Sequence, residues 1–251
     1  MPFKSLGLSK ALLDAVNKQG YTSPSPIQQK AIPLILERKD ILASAQTGTG
    51  KTAGFTLPML QILSQGQPLR KRPIRALVLT PTRELAAQVH SNVKSYSEFL
   101  NIRSTVIFGG VNQRPQVATL RNGVDVLVAT PGRLIDLIKR NAINIKNAQY
   151  LVLDEADEMV TSLKIGLDEI LKELPKKRRT FLFTATMPGT IKQLIQNYMS
   201  KHVIEVSANM ETVGHQGIDH QYVVVEPIEK LDVLMHFLNT KEGERGIIFC
   251  K

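Results

Sequence analysis

Six short apolar runs recur along the chain, at residues 41–44, 76–80, 104–108, 124–129, 150–153 and 180–183. Helical patterns such as 83–100, 133–140 and 163–174 lie between them. Runs this short, rich in β-branched and aliphatic residues, suit strands buried on both faces. Repeated strand–helix alternation folds into a mostly parallel sheet with helices on both faces, an α/β architecture. Ligands on such sheets bind beyond the carboxyl ends of the strands. The residues that follow each run are therefore where chemistry is expected.

A chain of 251 residues holds one large domain, or one domain and a fragment of another. Residues 207–217 carry Ser207, Asn209, Gly214 and Gly217 with weak periodicity and read as a linker. It divides a domain at 1–206 from residues 218–251. The latter carry an apolar alternation at 221–225, a helical pattern at 228–239 and a strand at 246–250. A piece under about 40 residues rarely folds alone, so the chain is expected to stop inside a second domain.

No apolar run approaches the roughly 18 residues that span a bilayer, so no membrane partner is expected. The start, Met1-Pro2-Phe3-Lys4-Ser5, lacks the apolar stretch of a secretory signal. Cys250 is the only cysteine, which excludes an intrachain disulfide and suits a reducing, cytoplasmic setting. His90, His202, His215, His220 and His236 are scattered and form no metal constellation. A net charge of +10 attracts polyanions, nucleic acid foremost, although a solvated basic surface has the same composition. Two basic clusters, Arg70-Lys71-Arg72 with Arg75, and Lys176-Lys177-Arg178-Arg179, lie beside prolines. Both read more easily as exposed connectors than as nucleic-acid contacts.

After the run 41–44 comes Ala45-Gln46-Thr47-Gly48-Thr49-Gly50-Lys51-Thr52, opening a helical pattern. Strand, glycine-rich turn and helix together make a phosphate-binding loop. Gly48 and Gly50 let backbone amides turn inward, and the helix adds its positive end. Lys51 supplies a cation for the terminal phosphates, and the Thr52 hydroxyl can ligate Mg²⁺. The generic pattern opens with Gly. Ala45 is tolerated there if its φ stays negative. The run 150–153 ends in Asp154-Glu155-Ala156-Asp157. Asp154 can hold Mg²⁺ through its waters, Glu155 can take a proton from an attacking water, and Asp157 suits contacts to neighbouring loops.

Together these residues resemble the DEAD-box RNA helicases, the RhlE-type bacterial branch most closely, and the acidic motif spells the family name. The resemblance implies a RecA-like P-loop domain followed by part of a second. It also implies ATP and Mg²⁺ as nucleotide and metal, RNA bound without regard to base sequence, ribonucleoprotein partners and a monomeric chain. Gly20-Tyr21-Thr22-Ser23-Pro24-Ser25-Pro26-Ile27-Gln28 is similar to the family's adenine-reading motif. Gln28 would then pair with the base, with Phe3 or Tyr21 packed near it. Taken alone, Phe3 reads as a core anchor. Pro81-Thr82-Arg83, Gly109-Gly110 and Thr130-Pro131-Gly132-Arg133 are similar to the family's RNA-backbone contacts. Thr184-Ala185-Thr186 is similar to the motif that couples nucleotide and RNA, with Thr184 where Ser is usual. A second departure lies at Val160-Thr161-Ser162-Leu163-Lys164, where the family often has Met-Gly-Phe. The family's clamp closes with arginines from its second domain, so this chain alone is expected to bind ATP, turn it over very slowly and unwind nothing. Two other readings stay open on the residues: another P-loop enzyme, such as a kinase or DNA-directed ATPase, and a non-enzymatic RNA-binding regulator.

Overall fold

A computed structural model describes residues 2–46, 48–66, 71–162, 164–207, 222–240 and 246–248, the side chains of 162–165 excepted. Thr47, Arg70, Leu163, Asn209, Gly214, His215, Gly217, His220, Gln221 and Cys250 lie outside the described residues, as does the linker beyond Ser207. The chain divides into two units, Met1–Met210 and Glu211–Lys251.

In the first unit, β1 (Ile41–Ser44), β2 (Ala76–Leu79), β3 (Ser104–Ile107), β4 (Val126–Ala129), β5 (Tyr150–Leu153), β6 (Arg179–Thr184) and β7 (Ile204–Ser207) form one sheet. Its order is β3-β4-β2-β5-β6-β1-β7, and every pairing is parallel. The connecting helices are α1 (Lys10–Lys18), α2 (Pro26–Leu36), α3 (Lys51–Ser64), α4 (Arg83–Tyr96), α5 (Gln113–Arg121), α6 (Pro131–Lys139), α7 (Ala156–Ser162), α8 (Lys164–Glu173) and α9 (Gly189–Tyr198). A 3-10 helix, Phe3–Leu6, precedes them. Gln61 of α3 fixes this first segment by accepting from the Ser9 amide at 2.7 Å and donating to the Gly7 carbonyl at 2.8 Å.

The six expected strands all form, and their buried side chains sort by parity along the chain. Ala43, Val78, Val128, Val152, Phe181 and Phe183 pack against Leu12 of α1, Ile27 and Ile32 of α2, Phe55 of α3 and Val89 of α4. Leu42, Leu77, Leu127, Leu151 and Leu182 point the other way, onto Leu134 of α6, Met159 of α7, Ile170 of α8 and Ile191 of α9. Helices thus cover both faces, as strands with no polar side require.

Two expectations need correction. Ser207 does not open a linker; it ends β7, an edge strand registered Ser44↔Ser207 beside β1. Glu205 and Ser207 face solvent while Val206 is buried, so the apolar signature there is diluted. In the second unit, α10 (Lys230–Thr240) follows a 3-10 turn at Pro227–Glu229. Of the expected strands at 221–225 and 246–250, the described residues 222–225 and 246–248 carry no regular structure, and residues 221, 249 and 250 lie outside the described residues. No described residue of this unit is buried, and a strand without a neighbour to share its hydrogen bonds does not persist.

Nor are Arg72 and Arg75 loose connectors. Asp125, 1% exposed just before β4, accepts from Arg75 Nη2 at 2.8 Å and from the Arg103 amide at 2.9 Å, and it pairs with Arg72 Nη1 at 2.5 Å. This cluster sits at the amino edge of the sheet. No helix among the described residues is long and apolar enough to cross a membrane.

Candidate active site

The carboxyl ends of β1, β5 and β6 carry one set of loops. The loop after β1 turns through Gly48 at φ +81° and Gly50 at φ +87°, left-handed conformations that glycine adopts without cost. Ala45 is not among the positive-φ residues, so its methyl group is accommodated, and its amide donates to the Thr184 carbonyl at 3.1 Å. Thr49 Oγ1 donates to the Gln46 carbonyl at 2.7 Å. Gln28, nearly buried on α2, donates through Nε2 to the Gly50 carbonyl at 2.9 Å and accepts from the Ser25 amide at 3.0 Å. A side-chain amide has two donors and two acceptor lone pairs, so one of each stays available. A Cβ at Gly50 would collide with the Gln28 amide. Gly50→Ala therefore meets both a left-handed backbone and a steric clash. It is expected to cost at least about 1–2 kcal/mol in urea unfolding and to weaken nucleotide binding. Unchanged values for both would show that the loop adapts freely.

Lys51 opens α3 with 6% exposure, and its Nζ has no hydrogen-bond partner among the described residues. Asp154, at the end of β5, is 2% exposed, and its Oδ1 is likewise unpartnered. Burial pushes the Asp154 carboxyl up to about 6; the nearby Lys51 ammonium opposes that shift and the Glu155 charge adds to it. Buried polar groups without partners are rare in folded proteins. A buried cation and a buried carboxylate, each with an open atom beside a glycine-rich loop, suit an anionic ligand that carries its own metal ion. Among the described residues no three His, Cys, Asp or Glu side chains could cage a metal. Mg²⁺ is commonly held by one or two carboxylates plus phosphates and water, and these residues fit that arrangement.

Glu155 has φ +53°, a conformation uncommon outside glycine and found disproportionately at functional sites. It stands immediately before α7, where its carbonyl accepts from the amides of Glu158 and Met159. Asp157, in the first turn of α7, accepts from the Thr186 amide at 2.9 Å and the Thr186 hydroxyl at 2.7 Å. Burial would raise the Asp157 carboxyl, but these bonds outweigh it and hold the group below its ordinary value. Thr184 is fully buried and donates to the Thr186 carbonyl at 2.7 Å. The loops after β5 and β6 are thus tied together through Asp157, Thr184 and Thr186, with Ala185 between.

The ends of β2, β3 and β4 carry a second set. Pro81, Thr82, Arg83, Gly109, Thr130, Pro131, Gly132 and Arg133 line one groove of about 440 Å³, joined by Glu84. Thr82 caps α4 by accepting from the Leu85 amide at 3.2 Å, and Pro131 starts α6. Two helix N-termini therefore reach this groove. Gly110, at φ +75°, lies against the Arg83 guanidinium, which sits 5.4 Å from the Phe108 ring centre. Arg133 is less free than its charge suggests: it donates to the Val111 carbonyl at 3.0 Å and to Gln116 Oε1 at 3.2 Å. Gln116, which bonds the Phe108 carbonyl in turn at 3.2 Å, went unnoticed in the sequence because one glutamine on an exposed helix carries no pattern. Two expected aromatic positions differ. Phe3 is 5% exposed in the apolar core, which favours its reading as an anchor, whereas Tyr21 is 43% exposed and lies 6.4 Å from Tyr96.

A parallel sheet covered on both faces, with a Gly-x-Gly-Lys-Thr turn after β1 and a buried aspartate ending β5, defines a RecA-like P-loop domain. The profile of the DEAD/DEAH box helicase family matches residues 25–194, and the chain belongs to that family. It is 38% identical over 251 residues to an ATP-dependent RNA helicase CshA of Limosilactobacillus reuteri, covering 99% of this chain and 49% of that protein. To an ATP-dependent RNA helicase DeaD of Buchnera aphidicola it is 40% identical over 255 residues, covering 99% of this chain and 41% of that protein. The crystal structure of a DEAD box protein from the hyperthermophile Methanococcus jannaschii is similar with a TM-score of 0.77 at 38% identity, over 96% of this chain and 64% of the other. The chain spans about half the length of the curated relatives it matches.

Proposed function

We propose that the chain is the nucleotide-binding part of an ATP-dependent RNA helicase. The observation that carries this reading is the pair of open buried atoms, Lys51 Nζ and Asp154 Oδ1, beside the Gly48–Gly50 turn. Lys51 and the backbone of residues 45–50 hold the β- and γ-phosphates of ATP, and Gln28 reads the adenine edge with its remaining donor and acceptor. Thr52 and Asp154 hold Mg²⁺, which when bound neutralises charge on the phosphates. Glu155 accepts the proton of the attacking water. Its backbone is fixed by the start of α7, which removes the ordering of the main chain from the reaction. Asp157 and Thr186 carry the state of the phosphate site into the loop after β6.

The groove after β2, β3 and β4 takes the RNA backbone. Its donors are the hydroxyls of Thr82 and Thr130, the helix N-termini and Arg83, groups that contact phosphate and sugar without reading bases. Residues 1–206 are the first helicase domain, and residues 218–251 belong to a second. With arginines of a complete second domain required for fast chemistry, the 251-residue chain alone binds ATP and releases phosphate very slowly.

The test compares ATP with GTP and RNA with DNA. Tighter binding of ATP, weakened in a Gln28→Ala variant, together with preference for RNA, is expected. Equal binding of ATP and GTP, or a preference for DNA, would instead favour another P-loop ATPase.

A further inference from the structure

The positive charge of this chain does not concentrate at the groove just described. There Arg83 and Arg133 face Glu84, and Arg133 is engaged with Val111 and Gln116. At the opposite, amino edge of the sheet a second groove of about 850 Å³ opens beside the starts of β5 and β6. Six cations line it, Arg38, Lys172, Lys176, Lys177, Arg178 and Arg179, against one carboxylate, Asp40. That surplus of five charges is half the net charge of +10 of the chain.

Most of these cations are not consumed by the fold. Asp40 is buried and satisfied by backbone, accepting from the Thr180 and Ser200 amides at 3.2 Å each. Arg179 approaches it only to 3.9 Å. Arg178 is tied to the Pro175 and Tyr198 carbonyls. Lys172, Lys176, Lys177 and Arg38 are exposed and form no ion pair among the described residues. They come from the end of α2, from α8 and from the loop before β6, so the charges run across three elements as a linear polyanion requires. Protein interfaces commonly centre on well-exposed aromatic anchors set among the charged contacts. None of the exposed large apolar side chains lies in this groove.

We infer that this amino-edge groove is an accessory binding site for the RNA sugar–phosphate backbone, separate from the loops at the carboxyl edge. The inference rests on the RNA-helicase reading above. The four-residue strands β2 to β5 set the two edges of the sheet roughly 13 Å apart at about 3.3 Å per residue. One RNA can therefore touch both only by passing around the domain.

The test uses the whole 251-residue chain and a long, labelled single-stranded oligouridine, followed by anisotropy across a salt series. Each single-strand phosphate neutralised contributes about 0.7 log units per log of salt. Replacing Lys176 and Lys177 together by Gln is expected to make the slope shallower by about 1.4, and to weaken binding about 25-fold at about 0.1 M salt. ATP affinity and unfolding temperature should not change, because both side chains are exposed. Unchanged affinity and slope in this variant overturn the proposal. So does the loss of polyglutamate binding with RNA binding intact, which would assign the groove to an acidic protein. Arg83→Ala separates the two claims. If it weakens RNA binding while the lysine variant does not, the accessory site falls and the helicase reading stands. If the unchanged chain binds no oligouridine, both fall.

Discussion

Replacing Glu155 by Gln is expected to slow ATP hydrolysis by about 10²–10⁴-fold, the usual contribution of a positioned general base. The amide keeps the size and shape of the side chain but does not take a proton from water. ATP affinity should stay within a factor of two, because the groups assigned to the phosphates and metal are Lys51, Thr52 and Asp154. Single-turnover measurement with excess protein reads the chemistry even where the chain by itself is slow. A variant that hydrolyses ATP at the unchanged rate would remove Glu155 from the mechanism. The backbone gives a second readout. At φ +53° a residue with a Cβ is strained by about 1–2 kcal/mol. Glu155→Gly should relieve that strain and abolish the chemistry. A fold that becomes more stable as activity is lost would show that the strain is held for function.

The second large effect is structural. Asp125→Ala leaves the guanidiniums of Arg72 and Arg75, each 11% exposed, without their buried carboxylate, and breaking such a pair costs up to about 3–5 kcal/mol. Urea unfolding should show a lower midpoint with an unchanged slope. The pH dependence follows from the same contacts. Burial alone would raise the Asp125 carboxyl, but the Arg103 amide and the two guanidiniums outweigh it and keep the group below its ordinary 3.8. A depressed folded-state value contributes stability above the unfolded value and loses it as pH falls through the folded one. The unchanged chain should therefore lose stability below about pH 4, and Asp125→Ala should lose less over that interval. Equal acid sensitivity in both chains would assign the effect to other carboxylates.

Much of this molecule was legible in its residues. Buried parallel strands are apolar throughout, so β1 and β5 were bounded correctly by hydrophobicity alone. The edge strand β7 escaped because Glu205 and Ser207 face water and erase the run. The phosphate loop and the acidic pair were recognisable because their chemistry is local: Gly48, Gly50 and Lys51 fall within one short turn, and Asp154 and Glu155 are adjacent. The Arg72–Arg75–Asp125 cluster was not, because its members lie about fifty residues apart and two of them sit in a basic stretch that resembles a solvated loop.

For β1 to β6 the sequence alone settled which segments are strands and which loops follow them, since strand character and turn chemistry are properties of adjacent residues. Only the tertiary structure decided which of those loops become neighbours. Parallel crossovers permute the strands into the order β3-β4-β2-β5-β6-β1-β7, and six apolar runs of similar composition carry no label for their place in it. That permutation gathers the ends of β1, β5 and β6 around Lys51 and Asp154, and the ends of β2, β3 and β4 around Arg83. At the opposite edge it assembles the starts of β5 and β6, with Arg38, into a groove that holds half the net charge of the chain.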